Sequence, residues 1–345
     1  LSGWHGNTYE RVKEDGFVIA DRVDSLLATN RNTQRSKAVA SLISGLTQTV
    51  ERESPDLLLV VGDREESIAT AIVGNYMGVL VAHVGGGDPV WGNSDDPIRM
   101  ATSKLVNLHL TTALPYSENL KSLGEDSWRI KFTGTPGLDN IKNEPLLSKK
   151  ELEVALGLNL KDNIVLLKHP LSSESESSYD QMCNALIGIK GFCEKNDMMV
   201  ICITPNSDPG SFEIIKAYKE FESERVILRQ TLPRNIFVNL LRSARALAGN
   251  SSMGLLEAPF YKLPVVNIGN RQRGRLNAGN VRYVGYSKSE IVEALEHAVF
   301  DTDYRNFINN LTNPYGNGDA ADITVNFIKS VDLNDSKWAL KQNLI

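Results

Sequence analysis

From residue 57 onward, strand-sized apolar runs alternate with segments of helical period, and no other feature of this chain limits its fold as much. Leu57–Val61 reads as a buried strand, the turn Gly62-Asp63-Arg64 follows, and 65–76 reads as a helix. Residues 80–83 form the next strand, 95–105 a helix, 108–112 a strand, 115–123 a helix and 130–133 a strand. Consecutive parallel strands need a crossover of a dozen or more residues, usually a helix. This alternation therefore implies βαβ units and a parallel sheet covered on both faces.

The pattern pauses at Gly134-Thr135-Pro136-Gly137 and the polar stretch to Leu147, then restarts. Strands are expected at 164–167, 199–203, 226–228, 246–247 and 265–268. Helices are expected at 179–194, 212–221, 234–242, 253–260, 289–299 and 320–330. At 345 residues the chain is long for one core and suited to two. The expected architecture is α/β: two doubly wound, Rossmann-like domains, 1–145 and 146–317, facing across a cleft. A C-terminal helix and tail, 318–345, is expected to pack back on the first.

Composition removes whole classes. Hydrophobic residues are 41% and charged residues 23%, a globular mixture. Lys plus Arg is 37 against 42 Asp plus Glu, a net charge of −5, so nothing draws the chain in bulk to nucleic acid or an anionic membrane. An anionic ligand must be caught by a local site. Three cysteines, Cys183, Cys193 and Cys202, without a CxxC point to a reducing compartment and a cytoplasmic protein. The longest apolar runs fall far short of the ~20 residues of a membrane span. No signal peptide opens the chain, which begins at Leu1.

Ligands of open α/β sheets bind outside the carboxyl ends of strands. That rule selects the loops 62–64, 83–96, 168–173, 204–210, 249–257 and 269–275. Gly249-Asn250-Ser251-Ser252-Met253-Gly254 lies between a strand and a helix, where hydroxyls and free N–H groups suit an anion; plain helix capping uses the same residues. Lys168-His169-Pro170 could set two cations against a diphosphate, or be a solvated loop. Arg271-Gln272-Arg273-Gly274-Arg275 carries three guanidinium forks that match phosphate oxygens, or a wet surface. Asp63, His83, Asp88, Asp95 and Asp96 belong to neighbouring strand ends, the raw material of acid–base catalysis; an Asp63–Arg64 ion pair and ordinary helix-start acids are the plainer readings. No GxGxxG follows a strand, and GxxxxGK[ST], HxxxH and GxSxG are absent. The five histidines lack zinc-type spacing, and His109 reads as a core residue.

The residues in order resemble the hydrolysing UDP-N-acetylglucosamine 2-epimerases. The resembling stretches are Gly6-Asn7-Thr8-Tyr9, Gly62-Asp63-Arg64, His83 through Asp88, Asp95-Asp96-Pro97-Ile98-Arg99 and Lys104-Leu105. They continue with 134–139, His169-Pro170, Pro205-Asn206-Ser207-Asp208, the 249–254 string, Glu257-Ala258-Pro259 and 267–275. Singly each is weak; jointly they are specific and span nearly the whole chain.

The resemblance implies a glycosyltransferase-B-like fold and a UDP-sugar substrate. It implies diphosphate contacts from His169, Ser251 and Ser252, with Arg64 helping to position the diphosphate or sugar. Asn206, Arg271 and Arg275 would lie near the nucleotide, and Glu257 would accept from the ribose hydroxyls. Asp63 and Asp95 match the catalytic acids, and His83 and Asp96 match their orienting neighbours. No metal or redox cofactor is implied. The implied setting is a cytoplasmic homodimer or homotetramer that begins sialic, legionaminic or related nonulosonic acid synthesis.

Two departures stand out. Many members carry a glutamate directly before the paired glycines, where this chain has Gly85; Asp88 is the nearest substitute. Gly85 would also leave room for a bulkier C4 substituent, so UDP-N,N′-diacetylbacillosamine is expected as substrate, with UDP-N-acetylglucosamine close behind. The family's first strand, with its glycine-and-arginine phosphate loop, is not in this sequence, so about 30 residues or more are expected ahead of Leu1. A retaining glycosyltransferase on the same fold and a catalytically silent nucleotide-sugar binder are the competing functions.

Overall fold

The computed structural model describes residues 9–25, 32–89, 96–206 and 208–341. The chain divides into two compact units. The first comprises Leu1–Thr135 with Asp319–Ile345, the second Pro136–Gly318.

In the first unit, α1 (Tyr9–Glu14) and α2 (Asn32–Glu53) precede β1 (Leu57–Val61), α3 (Glu65–Met77), β2 (Leu80–Val84) and α4 (Asp96–Leu105). β3 (Leu108–Thr111), α5 (Leu114–Ser122) and β4 (Ile130–Phe132) follow. The strands form a parallel sheet in the order β1-β2-β3-β4. β2 and β3 are buried throughout, as expected of strands covered on both faces. β1 corrects the expectation of a buried strand. It lies at the sheet edge, paired only with β2 among the described residues, and Leu59 and Val61 are 52% and 66% exposed.

The second unit holds α6 (Pro136–Asn143), α7 (Lys149–Leu156), β5 (Asn163–Leu167), α8 (Ser178–Lys195), β6 (Met199–Ile203) and α9 (Ser211–Phe221). Then come β7 (Val226–Arg229), α10 (Arg234–Ser243), β8 (Ala246–Gly249), α11 (Met253–Leu256), β9 (Val265–Ile268), β10 (Val281–Val284), α12 (Lys288–Phe300) and α13 (Thr302–Asn310). Its six strands are parallel in the order β10-β9-β8-β5-β6-β7. The chain enters at β5 and winds outward both ways, so β5 and β8 meet at a topological switch point. One core, including Ile164, Phe192 and Val200, lies between the sheet and α8, α9 and α12. The other, including Val165, Leu240 and Leu247, packs α7 and α10 on the opposite face.

Several elements differ from the sequence reading. Residues 136–143, read as part of the boundary between domains, are the helix α6, with Leu138 and Ile141 buried. α2 went unread, although Val39, Leu42, Ile43, Leu46 and Val50 keep helical spacing. α7, β10 and α13 were missed as well. The helix expected over 253–260 stops at Leu256, because Pro259 lacks an N–H and bars the residue before it from helical geometry. The helix α14 (Ala320–Lys329) returns the chain to the first unit, where Phe327, Val331 and Trp338 pack with Leu80, Ala82, Leu108 and Leu110.

Candidate active site

In the first unit, the turn after β1 and the loop after β2 converge on one guanidinium. Arg99, 6% exposed on the first turns of α4, donates to Asp63 through Nη2 and lies 3.2 Å from Asp88 Oδ2 through Nη1. The ion partner of Asp63 is thus Arg99, not the adjacent Arg64 of the plainer sequence reading. Arg64 is exposed, with extended backbone, at the start of α3. His83 is fully buried, and its Nε2 lies 2.6 Å from the Gly62 carbonyl oxygen. A carbonyl only accepts, so Nε2 carries the proton and Nδ1 is bare. Burial pulls the His83 pKa down to about 4, which keeps the ring neutral. Asp96 is the first residue of α4. Asp95 lies outside the described residues, as do Gly6, Asn7, Thr8 and Ser207. Gly85 has φ +93°, and a Cβ built there would meet nothing within 4 Å. The space beside it is open, and its backbone favours glycine.

In the second unit the switch-point loops interlock. Asn250, at the end of β8, accepts from the His169 N–H at 2.7 Å and donates to the His169 carbonyl at 2.9 Å. The Asn206 N–H donates to His169 Nδ1 at 3.0 Å. His169 therefore carries its proton on Nε2, leaving an N–H donor directed away from those partners. Burial, helped by the charge of Arg271, draws its pKa down to about 4. This corrects the expected cation pair: His169 is neutral. Lys168 is 1% exposed, with Nζ 3.3 Å from Gln181 Oε1 and 5.6 Å from the centre of the Tyr286 ring. Its alternation along the strand turns it inward, and burial lowers its pKa to about 8.

Arg271 also has a structural bond, from Nη1 to the Asn250 carbonyl at 3.3 Å, and Gln272 donates to the same oxygen at 3.1 Å. Arg275 donates to Gln272 Oε1 at 3.0 Å. Ser252 does not cap α11 through its hydroxyl, and Ser251 Oγ is 3.5 Å from the Met253 N–H. With only four residues, α11 has little dipole to offer an anion. Ser251, Ser252 and Glu257 instead line a cavity of about 440 Å³ together with Asn140, Arg234 and Phe237. Burial raises the Glu257 pKa to about 7, against the opposing charge of Arg234. Phe237 and Arg234 were not singled out from the sequence; an aromatic and a cation one turn apart opening α10 were the available signal.

His109 is buried, with Nε2 3.0 Å from Glu125 Oε2. Among the described residues no group of three or more His, Cys, Asp or Glu side chains could hold a metal ion. Nor is any described helix long and apolar enough to cross a membrane.

Residues 1–329 match the family described as UDP-N-acetylglucosamine 2-epimerase. The chain is 30% identical over 338 residues to UDP-N,N′-diacetylbacillosamine 2-epimerase (hydrolyzing) of Legionella pneumophila, covering 97% of this chain and 86% of that one. It is 32% identical over 289 residues to GDP/UDP-N,N′-diacetylbacillosamine 2-epimerase (hydrolyzing) of Campylobacter jejuni, covering 81% and 73%. Among solved structures, the UDP-GlcNAc 2-epimerase of Neisseria meningitidis bound to UDP-GlcNAc superimposes with TM-score 0.73 at 22% identity, covering 89% of this chain and 84% of that one. The fold is accordingly glycosyltransferase-B-like, with two parallel-sheet α/β domains.

Proposed function

The chain belongs to the UDP-N-acetylglucosamine 2-epimerase family, and from that membership we propose that it hydrolyses and inverts UDP-N,N′-diacetylbacillosamine at C2, releasing UDP and the free manno-configured sugar. The observation that carries the reading is the switch-point arrangement of unit two. A neutral His169 offers an Nε2–H donor, and the Ser251–Ser252 turn opens on a cavity holding Glu257 and Phe237. Hydroxyls and an N–H suit a diphosphate, a carboxyl suits ribose hydroxyls, and an aromatic face suits a base.

Chemistry at the sugar falls to the first unit. A carboxylate, Asp63 in this reading, takes the C2 proton. The electron pair forms the C1–C2 double bond, and the C1–oxygen bond to the diphosphate breaks. UDP leaves with the electron pair of that broken C1–oxygen bond. A second acid, Asp95 or Asp88 in its protonated form, then adds a proton to C2 on the opposite face while water adds its oxygen to C1. The water's proton restores that acid, and Asp63 gives up the C2 proton to solvent. Arg99 aims Asp63 and Asp88, and His83, tied to the Gly62 carbonyl, fixes the turn that carries Asp63. Asp96 opens the helix that carries Arg99. His169, Ser251, Ser252, Asn206, Arg64, Arg271 and Arg275 are assigned to the diphosphate and nucleotide, where charge develops on the leaving group.

The open space beside Gly85 favours the diacetamido sugar over UDP-N-acetylglucosamine. A homodimer or homotetramer in the cytoplasm, supplying nonulosonic acid synthesis, completes the reading; the free thiols Cys183, Cys193 and Cys202 support its reducing compartment alone.

The decisive experiment is product analysis by NMR in heavy water. One deuterium at C2, inverted configuration and free UDP are expected from UDP-sugar alone. A glycoside formed only when an acceptor is added would indicate a transferase, and unconsumed UDP-sugar a silent binder.

A further inference from the structure

The last described residue of the chain, Lys341, reaches the helix that carries Arg99. Its Nζ donates to the carbonyls of Ser103 at 2.8 Å and Lys104 at 3.1 Å, and pairs with Glu125 Oε2 at 2.6 Å. An ammonium has three donors, and here all three are used. Ser103 and Lys104 belong to the final turn of α4, whose carbonyls have no partner within the helix and carry the negative end of its dipole. The same turn is tied back to Arg99, because Ser103 Oγ donates to the Arg99 carbonyl at 3.0 Å.

Buried side chains hold the tail in place. Arg129, 1% exposed, donates to the carbonyls of Asn107, Lys337, Trp338 and Leu340. The Asn107 side-chain amide donates to the Trp338 carbonyl at 3.0 Å, and its oxygen accepts from the Val81 N–H of β2 at 2.9 Å. Glu125, 5% exposed, is shared by Lys341, Lys104 and His109. A guanidinium taken out of water for the carbonyls of a terminal segment is costly unless every bond is made, so the tail's position is sharply specified.

We propose that Lys341 is a positioning residue for the reaction: it caps α4 from the far end of the sequence and so fixes the axial position of Arg99 between Asp63 and Asp88. This rests on the reading that these three residues carry the chemistry at the sugar.

The test compares Lys341→Met, Lys341→Gln and Lys341→Arg with the wild-type chain. Lys341→Gln keeps a neutral donor and is run so that a folded variant is always read. Val331→Ala, which loosens tail packing without touching the cap, is the structural control. Expected for Lys341→Met are a kcat about 10-fold lower, KM and UDP affinity within twofold, and faster amide exchange over residues 96–105. Lys341→Arg should recover at least half of kcat. Val331→Ala should lower Tm but keep kcat.

Wild-type kcat in folded Lys341→Met and Lys341→Gln would overturn the proposal. So would an equal loss of kcat in Val331→Ala at matched Tm, or unchanged exchange over 96–105. A wild-type chain inert toward both UDP-sugars would instead sink the functional reading; exchange over 96–105 then decides the cap by itself.

Discussion

Asp88 Oδ2 lies 3.2 Å from Nη1 of Arg99, the guanidinium whose other amino group holds Asp63. One cation thus holds two carboxylates in place. Asp63→Asn should lower turnover by at least about 10³-fold, the range of a lost general base, with UDP affinity unchanged. Asp88→Asn should cost less, about 10-fold, because Arg99 and Asp63 still meet. Coupled detection of UDP release, with calorimetry for UDP binding, checks both; equal losses would mean that Asp88 is itself the proton donor.

Glu257 gives a pH prediction. Its pKa in the fold is about 7, raised by burial from an ordinary 4.5. The folded chain therefore keeps a proton that the unfolded chain has already released. The stability from this group is complete below the ordinary value and is lost as pH rises through about 7. Glu257→Gln should raise the Tm of the ligand-free protein at pH 8 and leave it nearly unchanged at pH 5. The same change should weaken UDP binding about 10-fold, since an amide replaces the ribose acceptor. Differential scanning fluorimetry at the two pH values and UDP titration read the two effects.

Gly85 gives a specificity prediction. A methyl there meets no atom within 4 Å, yet the φ of +93° strains any L side chain. Gly85→Ala should therefore fold with a loss of about 1 kcal/mol and narrow the open space. Its kcat/KM for the diacetamido sugar should fall more than that for UDP-N-acetylglucosamine. Wild-type preference for the mono-acetamido sugar would remove the idea of added room.

Gly249 is the most demanding position in the second unit. With φ +125°, a Cβ would stand 2.0 Å from the Leu167 carbonyl oxygen, where β8 passes β5. Gly249→Ala forces backbone apart at the switch point and should cost more than about 3 kcal/mol. Loss of soluble expression, or a fall in urea midpoint of that size, is expected; a stable, UDP-binding variant would show that the crossing can relax.

Much of the frame was legible because strand–helix alternation is local. The strands at 57–61, 199–203 and 265–268 keep the bounds that their apolar runs suggest. α2 was missed although its apolar residues keep helical spacing. α6 was missed because glycine, proline and polar residues read as a domain boundary, while Leu138 and Ile141 are buried by packing.

The site divides the same way. Sequence alone named the strand-end loops, because a parallel sheet turns its carboxyl ends to ligands. It could not say that Lys168 faces the interior, that His169 is neutral, or that Arg99 rather than Arg64 holds Asp63. Those outcomes depend on partners far away in the chain: Asn250 lies 81 residues from His169, and Lys341 lies 238 from Ser103. Periodicity reports on the few residues around a position. Protonation, ion pairing and capping are set by whatever the sheet order and the returning tail bring beside it, and only the folded chain decides that.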